Sequence, residues 1–184
     1  MKIEPLERKL FFSKGVTQES MEELTKAIIL INDDDEKLIK ACELEDITYR
    51  PKPIEMYIDS YGGQVYACMG LISVMERSKT PIHTIVTGCA MSCGFMLLIS
   101  GHKRFAYRLS TPMYHQVSTG FWGKIEDMEI DIVETRRLQK VFESETISKT
   151  QITKKKLDEI RKTKTDWFMT ASDALALGII DEIL

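Results

Sequence analysis

Residues 54–77 have the sequence IEMYIDSYGGQVYACMGLISVMER, and this stretch decides the fold. Its first five residues form a compact apolar run that predicts a β-strand, and residues 59–63 predict a glycine-rich turn. Residues 65–77 are apolar at most positions, which is typical of a largely buried helix. The stretch therefore predicts one strand–turn–helix unit.

The same order of elements follows in residues 82–99. Pro81 precedes a second predicted strand, Gly88 marks a turn, and a second buried helix completes the range. Two such units in succession are typical of right-handed β-α-β units on a parallel sheet. Further strands are predicted at 103–107 and 113–117. The predicted fold class is therefore α/β, built from repeated β-α-β units.

The N-terminal part of the chain is patterned less strongly. Residues 10–12 predict a short edge strand, and Thr17 offers an N-cap for an amphipathic helix that we expect to end near Asn32. The acidic run 33–36 and the mixed polar sequence up to Pro53 then predict a long loop with at most one turn of helix. Acidic runs are usually solvated, so we expect no metal to bind there.

A long charged helix is predicted at 125–149, with one apolar stripe along it. Its length and polarity suit an arm that projects from the core and meets another subunit, although the pattern also fits a surface helix of the same domain. Thr153 and Thr170 offer N-caps for two short C-terminal helices, the second of which is expected to stop at Gly178. We expect one domain over residues 1–184.

The composition excludes several classes of function. The chain has 184 residues, a net charge of −3 and no long basic face, which argues against binding to nucleic acid or to an anionic membrane. No apolar run is long enough to span a bilayer. The cysteines lack the spacing of zinc ligands, so we expect reduced thiols, no metal and no cofactor in a cytoplasmic protein. They are Cys42, Cys68, Cys89 and Cys93.

Two strand-to-helix turns can carry chemistry, because each one places unpaired backbone N–H groups at the start of a buried helix. In the first turn, Gly62 and Gly63 let the backbone come close to a ligand. In the second, Ser92 follows Gly88 among small residues that leave its hydroxyl accessible. Such a serine can attack a carbonyl carbon while N–H groups stabilise the oxyanion. By spacing alone, however, Ser92 is better explained as an ordinary helix cap.

The chain has three histidines, and their positions differ in what they can do. His83 begins a predicted strand, and His102 lies beside a glycine in a predicted exposed turn. His115 lies in a predicted strand after Pro112, which is a suitable position for a general base at a sheet edge. The pattern fits a hydrogen-bonded structural histidine equally well.

At these residues the sequence resembles the proteolytic subunit of the Clp protease, a family of the crotonase-like superfamily. Four motifs carry the resemblance in the family's order, and the C-terminal residues 171–184 also have the family's ending. The motifs are DSYGG at 59–63, GCAMSCG at 88–94, MYHQ at 113–116 and TDWFMT at 165–170.

The resemblance implies a serine endopeptidase with a Ser-His-Asp triad. Ser92 would be the nucleophile, His115 the general base and then acid, and Asp166 the residue that orients the imidazole. The backbone N–H groups of Gly63 and Cys93 would form the oxyanion hole. This order argues against an α/β-hydrolase, because those enzymes place the histidine last in the chain and here Asp166 follows His115.

The resemblance also implies an assembly. Residues 1–119 and 150–184 would form a head, and residues of about 120–149 a handle that interlocks two heptameric rings into a tetradecamer. Peptides or unfolded proteins would be cut inside that barrel, where the apolar positions of 121–125 could bind extended peptide by strand addition. An AAA+ Clp ATPase is the partner that the family implies.

Several positions depart from the family pattern. Thr165 stands where the family often has an arginine, Val117 replaces a common proline, and the loop before Pro53 is longer. The family's usual segment before Leu10 and its tail after Leu184 have no counterpart here, so we expect ATPase docking to differ. Two alternatives stay open: a catalytically silent ring subunit, and a crotonase-type acyl-CoA enzyme, whose fold also uses paired N–H groups as an oxyanion hole.

Overall fold

A computed structural model gives the structure of the protein at residues 7–120 and 122–184. The residues before Glu7 lie outside the described residues, as does Phe121, the first position of the predicted peptide-binding stretch. The described strands are β1 Lys9–Phe12, β2 Ile54–Ser60, β3 Ile82–Met91, β4 Lys103–Ala106, β5 Thr111–Tyr114, β6 Trp167–Phe168 and β7 Glu182–Ile183. The described helices are α1 Gln18–Glu43, α2 Val65–Arg77, α3 Cys93–Ile99, α4 Ile125–Lys149, α5 Lys154–Thr163 and α6 Ala171–Ala176.

The strands form one sheet with the order β1-β2-β3-β4-β7, in which all neighbours are parallel. Strand β5 pairs in parallel with the end of β3, and β6 pairs with β5 as the antiparallel strand of the sheet. Helices α2 and α3 connect parallel strands, as β-α-β units require. The predicted α/β fold class is therefore confirmed.

The core lies where α2 and α3 cover the central strands. In β2 the alternate residues Ile54, Met56 and Ile58 are fully buried, because successive side chains of a strand point to opposite faces. All seven residues of α3 are buried. A helix that is apolar on every side can be stable only when it is enclosed, so α3 sits as a rigid element behind the turn that carries Ser92.

Helix α1 is longer than predicted, since it continues through the acidic run to Glu43 instead of ending near Asn32. The prediction of a loop from residue 33 was wrong, because Asp35 in the acidic run is held by residues that are distant in the sequence. Asp35 is only 2% exposed and its carboxylate accepts hydrogen bonds from Arg8, at 2.5 and 2.9 Å, and from Thr80 at 2.5 Å. Burial alone would raise the pKa of Asp35, but these hydrogen bonds outweigh it and lower the pKa.

Helix α4 has the predicted bounds, and its two halves differ in exposure. Ile125, Ile130 and Val133 are 68–69% exposed, whereas the buried residues of the helix all lie in its second half. The division of the chain into head and handle stays a prediction. Within residues 7–120 and 122–184, no helix combines the length and the apolar character needed to cross a membrane.

Candidate active site

Ser92 occupies the single residue between β3 and α3. Its backbone has φ 54° and ψ −119°, a conformation that side-chain-bearing residues adopt rarely and at a cost of about 1–3 kcal/mol. It stands at the N-cap position of α3, but its hydroxyl makes no capping hydrogen bond. The interpretation of Ser92 as an ordinary helix cap is therefore wrong, and the hydroxyl is available for another role.

Strand β3 continues further than predicted, because Cys89, Ala90 and Met91 pair with β5. The N–H of Ser92 then donates to the carbonyl oxygen of Met113 at 3.1 Å. Ser92, the strained residue, is thus held between the paired ends of β3 and β5 on one side and the buried helix α3 on the other. Such support is what allows backbone strain to persist at one position.

The glycine turn after β2 packs directly against Ser92. A Cβ atom on Gly62 would lie 2.8 Å from the Cβ atom of Ser92 and 2.7 Å from the carbonyl oxygen of Met91. Gly62 also has φ +95°, which favours glycine. A Cβ atom on Gly63 would lie 2.3 Å from the carbonyl oxygen of Val16. Gly62 is therefore required for the close approach of the two turns, and Gly63 for the close approach of the backbone at Val16.

A side-chain hydrogen bond links Cys93 to Gly63. The Cys93 thiol donates to the carbonyl oxygen of Gly63 at 3.3 Å. Within residues 7–120 and 122–184, neither the N–H of Gly63 nor that of Cys93 donates to a protein acceptor. These two N–H groups can therefore serve an oxyanion that forms beside Ser92.

His115 faces the same small pocket as Ser92. The pocket has a volume of about 50 Å³ and includes Gly63, Ser92 and His115 in its lining. Apolar side chains form most of the remaining wall, and they are contributed by Val65, Met96, Val117 and Phe142. The structure therefore brings three of the predicted site residues together around one cavity with an apolar wall, which can limit access of water to the serine.

Asp166 reaches His115 through strand pairing. Strands β5 and β6 are antiparallel with Tyr114 opposite Trp167, so the next residues outward, His115 and Asp166, also face each other. Oδ1 of Asp166 lies 3.7 Å from Nδ1 of His115. This distance is longer than a hydrogen bond, and the Asp166 side chain is 57% exposed. The Asp166 carboxylate faces Nδ1, which is the ring nitrogen that the aspartate of a Ser-His-Asp triad contacts. The two residues are not hydrogen bonded in this structure.

The other two histidines lie away from this pocket. Nδ1 of His102 accepts a hydrogen bond from the N–H of Ile82 at 3.0 Å, so that ring has a structural role in the turn before β4. The His83 ring lies 5.6 Å from the ring of Phe105, and its partial burial lowers its pKa. Of the three histidines, His115 is therefore the one placed beside Ser92.

Comparison with known proteins identifies the family of the chain. The model of the Clp protease family matches residues 5–184. The chain belongs to the Clp protease family. An ATP-dependent Clp protease proteolytic subunit from Deinococcus radiodurans is 37% identical over 133 residues, which is 71% of this chain and 64% of that protein. The ATP-dependent Clp protease proteolytic subunit 2 of a Synechococcus species is 30% identical over 181 residues, or 97% and 83% of the two chains.

The chain thus spans less than two thirds of the Deinococcus relative that it matches. Its mixed α/β architecture, with helices against a parallel sheet, is consistent with the Clp protease fold. Within that fold the pairing of β3 with β5 and of β5 with β6 brings together the segments that carry Ser92, His115 and Asp166. Their roles stay a prediction from the motifs.

Two buried thiols lie close to Ser92: Cys93 belongs to the same Clp protease motif, and Cys68 of α2 contacts it. Cys68 in α2 donates from its thiol to the carbonyl oxygen of Cys93 at 3.4 Å. The contact with the Cys93 thiol and burial both raise the pKa of Cys68, so that thiol stays protonated and keeps its donor. Sequence reasoning missed this contact, because no local pattern links a residue in α2 to the start of α3.

Gln139 is the second residue that sequence reasoning missed. It lies in the buried half of α4 and makes hydrogen bonds on both sides of His115, to Tyr114 and to Val117. The signal in the sequence is weak, since one polar residue beside an apolar stripe is common on a helix. Only the tertiary contact between α4 and the strand of His115 reveals it.

Proposed function

We propose that this member of the Clp protease family is the proteolytic subunit of a serine endopeptidase, with Ser92 as nucleophile. The observation that carries the proposal is the uncapped hydroxyl of Ser92 at a strained turn, in one pocket with His115 and Gly63. A serine needs an adjacent base and a neighbouring set of N–H donors to attack a peptide carbonyl. Both lie at this pocket.

The reaction would proceed in two halves. His115 accepts the proton of the Ser92 hydroxyl as its oxygen bonds to the carbonyl carbon, and the N–H groups of Gly63 and Cys93 stabilise the oxyanion. The imidazolium then gives its proton to the leaving amine as the carbon–nitrogen bond breaks. Water, activated by His115, cleaves the acyl-enzyme and restores Ser92. Removal of one oxyanion donor typically raises a barrier of this kind by about 3–4 kcal/mol.

Asp166 would orient the imidazole through its Nδ1 atom. In this structure the two atoms are 3.7 Å apart, so they must approach to about 2.8 Å for a charge-assisted hydrogen bond. The exposed carboxylate has the freedom for that movement, and catalytic hydrogen bonds often tighten only when substrate binds. We therefore assign to Asp166 the role of positioning and stabilising the imidazolium.

We infer that the subunit works in an assembly on peptides or unfolded proteins. The family membership supports rings, and the stacked heptamers of a tetradecamer are the arrangement that we propose. The exposed apolar side chains of Ile125, Ile130 and Val133 on α4 suit a contact between subunits. A AAA+ Clp ATPase as partner and a cytoplasmic location belong to the same proposal.

Hydrolysis of a fluorogenic peptide by the purified chain tests the function. We expect turnover by the wild type and a loss of about 10⁴-fold or more in Ser92→Ala. Ser118→Ala is the matched control, since Ser118 lines the same pocket but has no place in the mechanism. Full activity of Ser92→Ala would contradict the proposal. A stable ring without turnover in the wild type would instead favour the catalytically silent ring subunit.

A further inference from the structure

The segment that carries His115 leaves the sheet immediately after Tyr114, the last residue of β5. Residues 115–120 form no helix or strand, so the ladder of the sheet does not fix them. Yet a general base must keep its position relative to the nucleophile to within fractions of an ångström. Something other than strand pairing must therefore hold this segment.

Gln139 of α4 provides that support through hydrogen bonds to the segment. Its Oε1 atom accepts a hydrogen bond from the N–H of Val117 at 2.8 Å, and its Nε2 atom donates to the Tyr114 hydroxyl at 3.2 Å. Nε2 also donates to Oε1 of Glu143 at 2.9 Å. Because a backbone N–H needs an acceptor and a carboxylate needs a donor, these contacts fix the orientation of the amide.

The contacts to Tyr114 and to the N–H of Val117 lie one residue before and two residues after His115. Gln139 is only 7% exposed, so water competes little for these hydrogen bonds. Tyr114 is itself fixed, since its ring packs edge-on against Phe95 of α3 at 5.7 Å between centroids. One buried amide therefore joins the histidine segment to α4 and, through Tyr114, to the helix that follows Ser92.

We propose that Gln139 is a positioning residue for His115, holding the backbone on both sides of the imidazole at the distance that Ser92 requires. The expected effect of Gln139 on catalysis rests on the proposed function, whereas its role in holding the segment of His115 does not. Gln139 touches neither substrate nor the reacting atoms in this assignment. It acts only through the segment from Tyr114 to Val117.

The test uses Gln139→Met, which keeps the shape of the side chain and removes both the acceptor and the donor. We expect kcat for peptide hydrolysis to fall about ten-fold or more, with little change in KM, because the base is displaced while the pocket remains. The double variant Gln139→Glu/Glu143→Gln keeps an oxygen for the N–H of Val117 and exchanges the donor and acceptor between positions 139 and 143, which are hydrogen bonded at 2.9 Å. We therefore expect its kcat to stay within about three-fold of wild type.

Asn32→Leu is the matched control. Asn32 is also a helix amide whose oxygen accepts from two backbone N–H groups of a neighbouring loop, those of Lys79 at 2.8 Å and Thr80 at 3.2 Å. That loop lies outside the pocket of Ser92 and His115. The control therefore loses the same kind of bond, and at temperatures where it is folded its kcat should equal that of the wild type.

A second readout does not depend on activity. The imidazole signals of the three histidines can be followed by NMR in protein labelled at histidine. We expect Gln139→Met to shift the signals of His115 and leave those of His83 and His102 in place. Tyr114→Phe, which removes only the hydroxyl, should shift His115 in the same direction by a smaller amount, and it serves if Gln139→Met does not fold.

The inference is overturned if the His115 signals and kcat are unchanged in Gln139→Met, or if Asn32→Leu loses kcat to the same extent. Failure of the proposed function looks different. In that case the wild type neither hydrolyses peptide nor reacts with a fluorophosphonate at Ser92, while the NMR signals still decide whether Gln139 positions His115.

Discussion

The backbone N–H of Ser92 donates to the carbonyl oxygen of Met113 at 3.1 Å. This bond joins the turn of the proposed nucleophile to β5, and the proposed base follows two residues after Met113, just beyond the end of that strand. A shift of either element would therefore change the distance between Ser92 and His115. The sheet thus anchors Ser92 directly, whereas it holds His115 only through the neighbouring residue Tyr114.

Gly62→Ala should strongly impair peptide hydrolysis. The added methyl group would lie 2.7–2.9 Å from atoms of Met91, Ser92 and Cys93, and the φ of +95° is unfavourable for alanine. We expect kcat/KM to fall by about 10²-fold or more, because a displacement of this size misplaces the nucleophile. The measurement is steady-state hydrolysis of a fluorogenic peptide.

Gly70→Ala is the control for that variant. Gly70 lies inside α2, and a Cβ atom there would meet no atom within 4 Å. Because alanine favours a helix over glycine by about 0.5–1 kcal/mol, this variant should be slightly more stable and fully active. Equal activity of the two alanine variants would contradict the role assigned to the glycine turn.

Asp166→Asn should lower kcat by about 10²–10⁴-fold, because an amide cannot stabilise the imidazolium as a carboxylate does. Little change in KM is expected, since Asp166 does not line the pocket of Ser92 and His115. Asp158→Asn, which alters another surface carboxylate, should keep wild-type kinetics. If Asp166→Asn retains full kcat, the 3.7 Å separation from His115 never closes during turnover, and the triad reduces to a Ser-His pair.

Cys93→Val should reduce kcat modestly, by about 3–10-fold, because valine cannot donate to the Gly63 carbonyl as the thiol does at 3.3 Å. The loss should be in kcat, since an oxyanion donor acts in the transition state. Cys42→Ser, distant on α1, provides the control and should leave kcat unchanged. An unchanged kcat in Cys93→Val would show that the thiol bond does not align the oxyanion donors.

The hydrogen bonds of Asp35 with Arg8 and Thr80 predict an acid-sensitive stability. Burial raises the pKa of Asp35, but the hydrogen bonds from Arg8 and Thr80 prevail, so the folded-state pKa lies below its value in the unfolded chain. The contribution to stability is therefore complete above the unfolded-state pKa and is lost as the pH falls through the folded-state pKa. Urea unfolding measured at several pH values between neutral and acidic reports this loss.

Asp35→Asn should remove that acid dependence and lower the free energy of unfolding by about 3–5 kcal/mol, as for other broken buried ion pairs. Glu36→Gln is the control, because the side chain of the neighbouring Glu36 is about half exposed and its ion pairs with Lys40 and Lys79 are screened by water. A stability of Asp35→Asn equal to that of Glu36→Gln would contradict the importance of the buried contact.

Much of the fold followed from periodicity in the sequence. Helices α2 and α4 have the predicted bounds, because each is a continuous pattern without competing signals. The second half of α1 was missed, because Asp35 in its acidic run is stabilised by Arg8 and Thr80, which are distant in the sequence. No local pattern contains such a partner.

The sequence indicated most of the candidate site residues but not all of the contacts that position them. The motifs indicated Ser92, His115 and Gly63, and the structure places all three at one pocket. The motifs indicated Asp166 as well, but it approaches His115 through β6, a strand of two residues, and no periodic pattern can predict so short an element. Gln139 was missed because its importance depends on which strand its helix contacts, and that contact is a property of the tertiary fold.

The most direct measurement is covalent labelling of the native protein with a fluorophosphonate probe, followed by peptide mapping with mass spectrometry. Folded wild-type protein should carry one probe per chain on Ser92, and heat-denatured protein should carry none, because only the assembled site activates the hydroxyl. Ser118→Ala should label like the wild type and Ser92→Ala should not label. Absence of an adduct at Ser92 in folded protein, or an equal adduct in Ser92→Ala, would contradict the account.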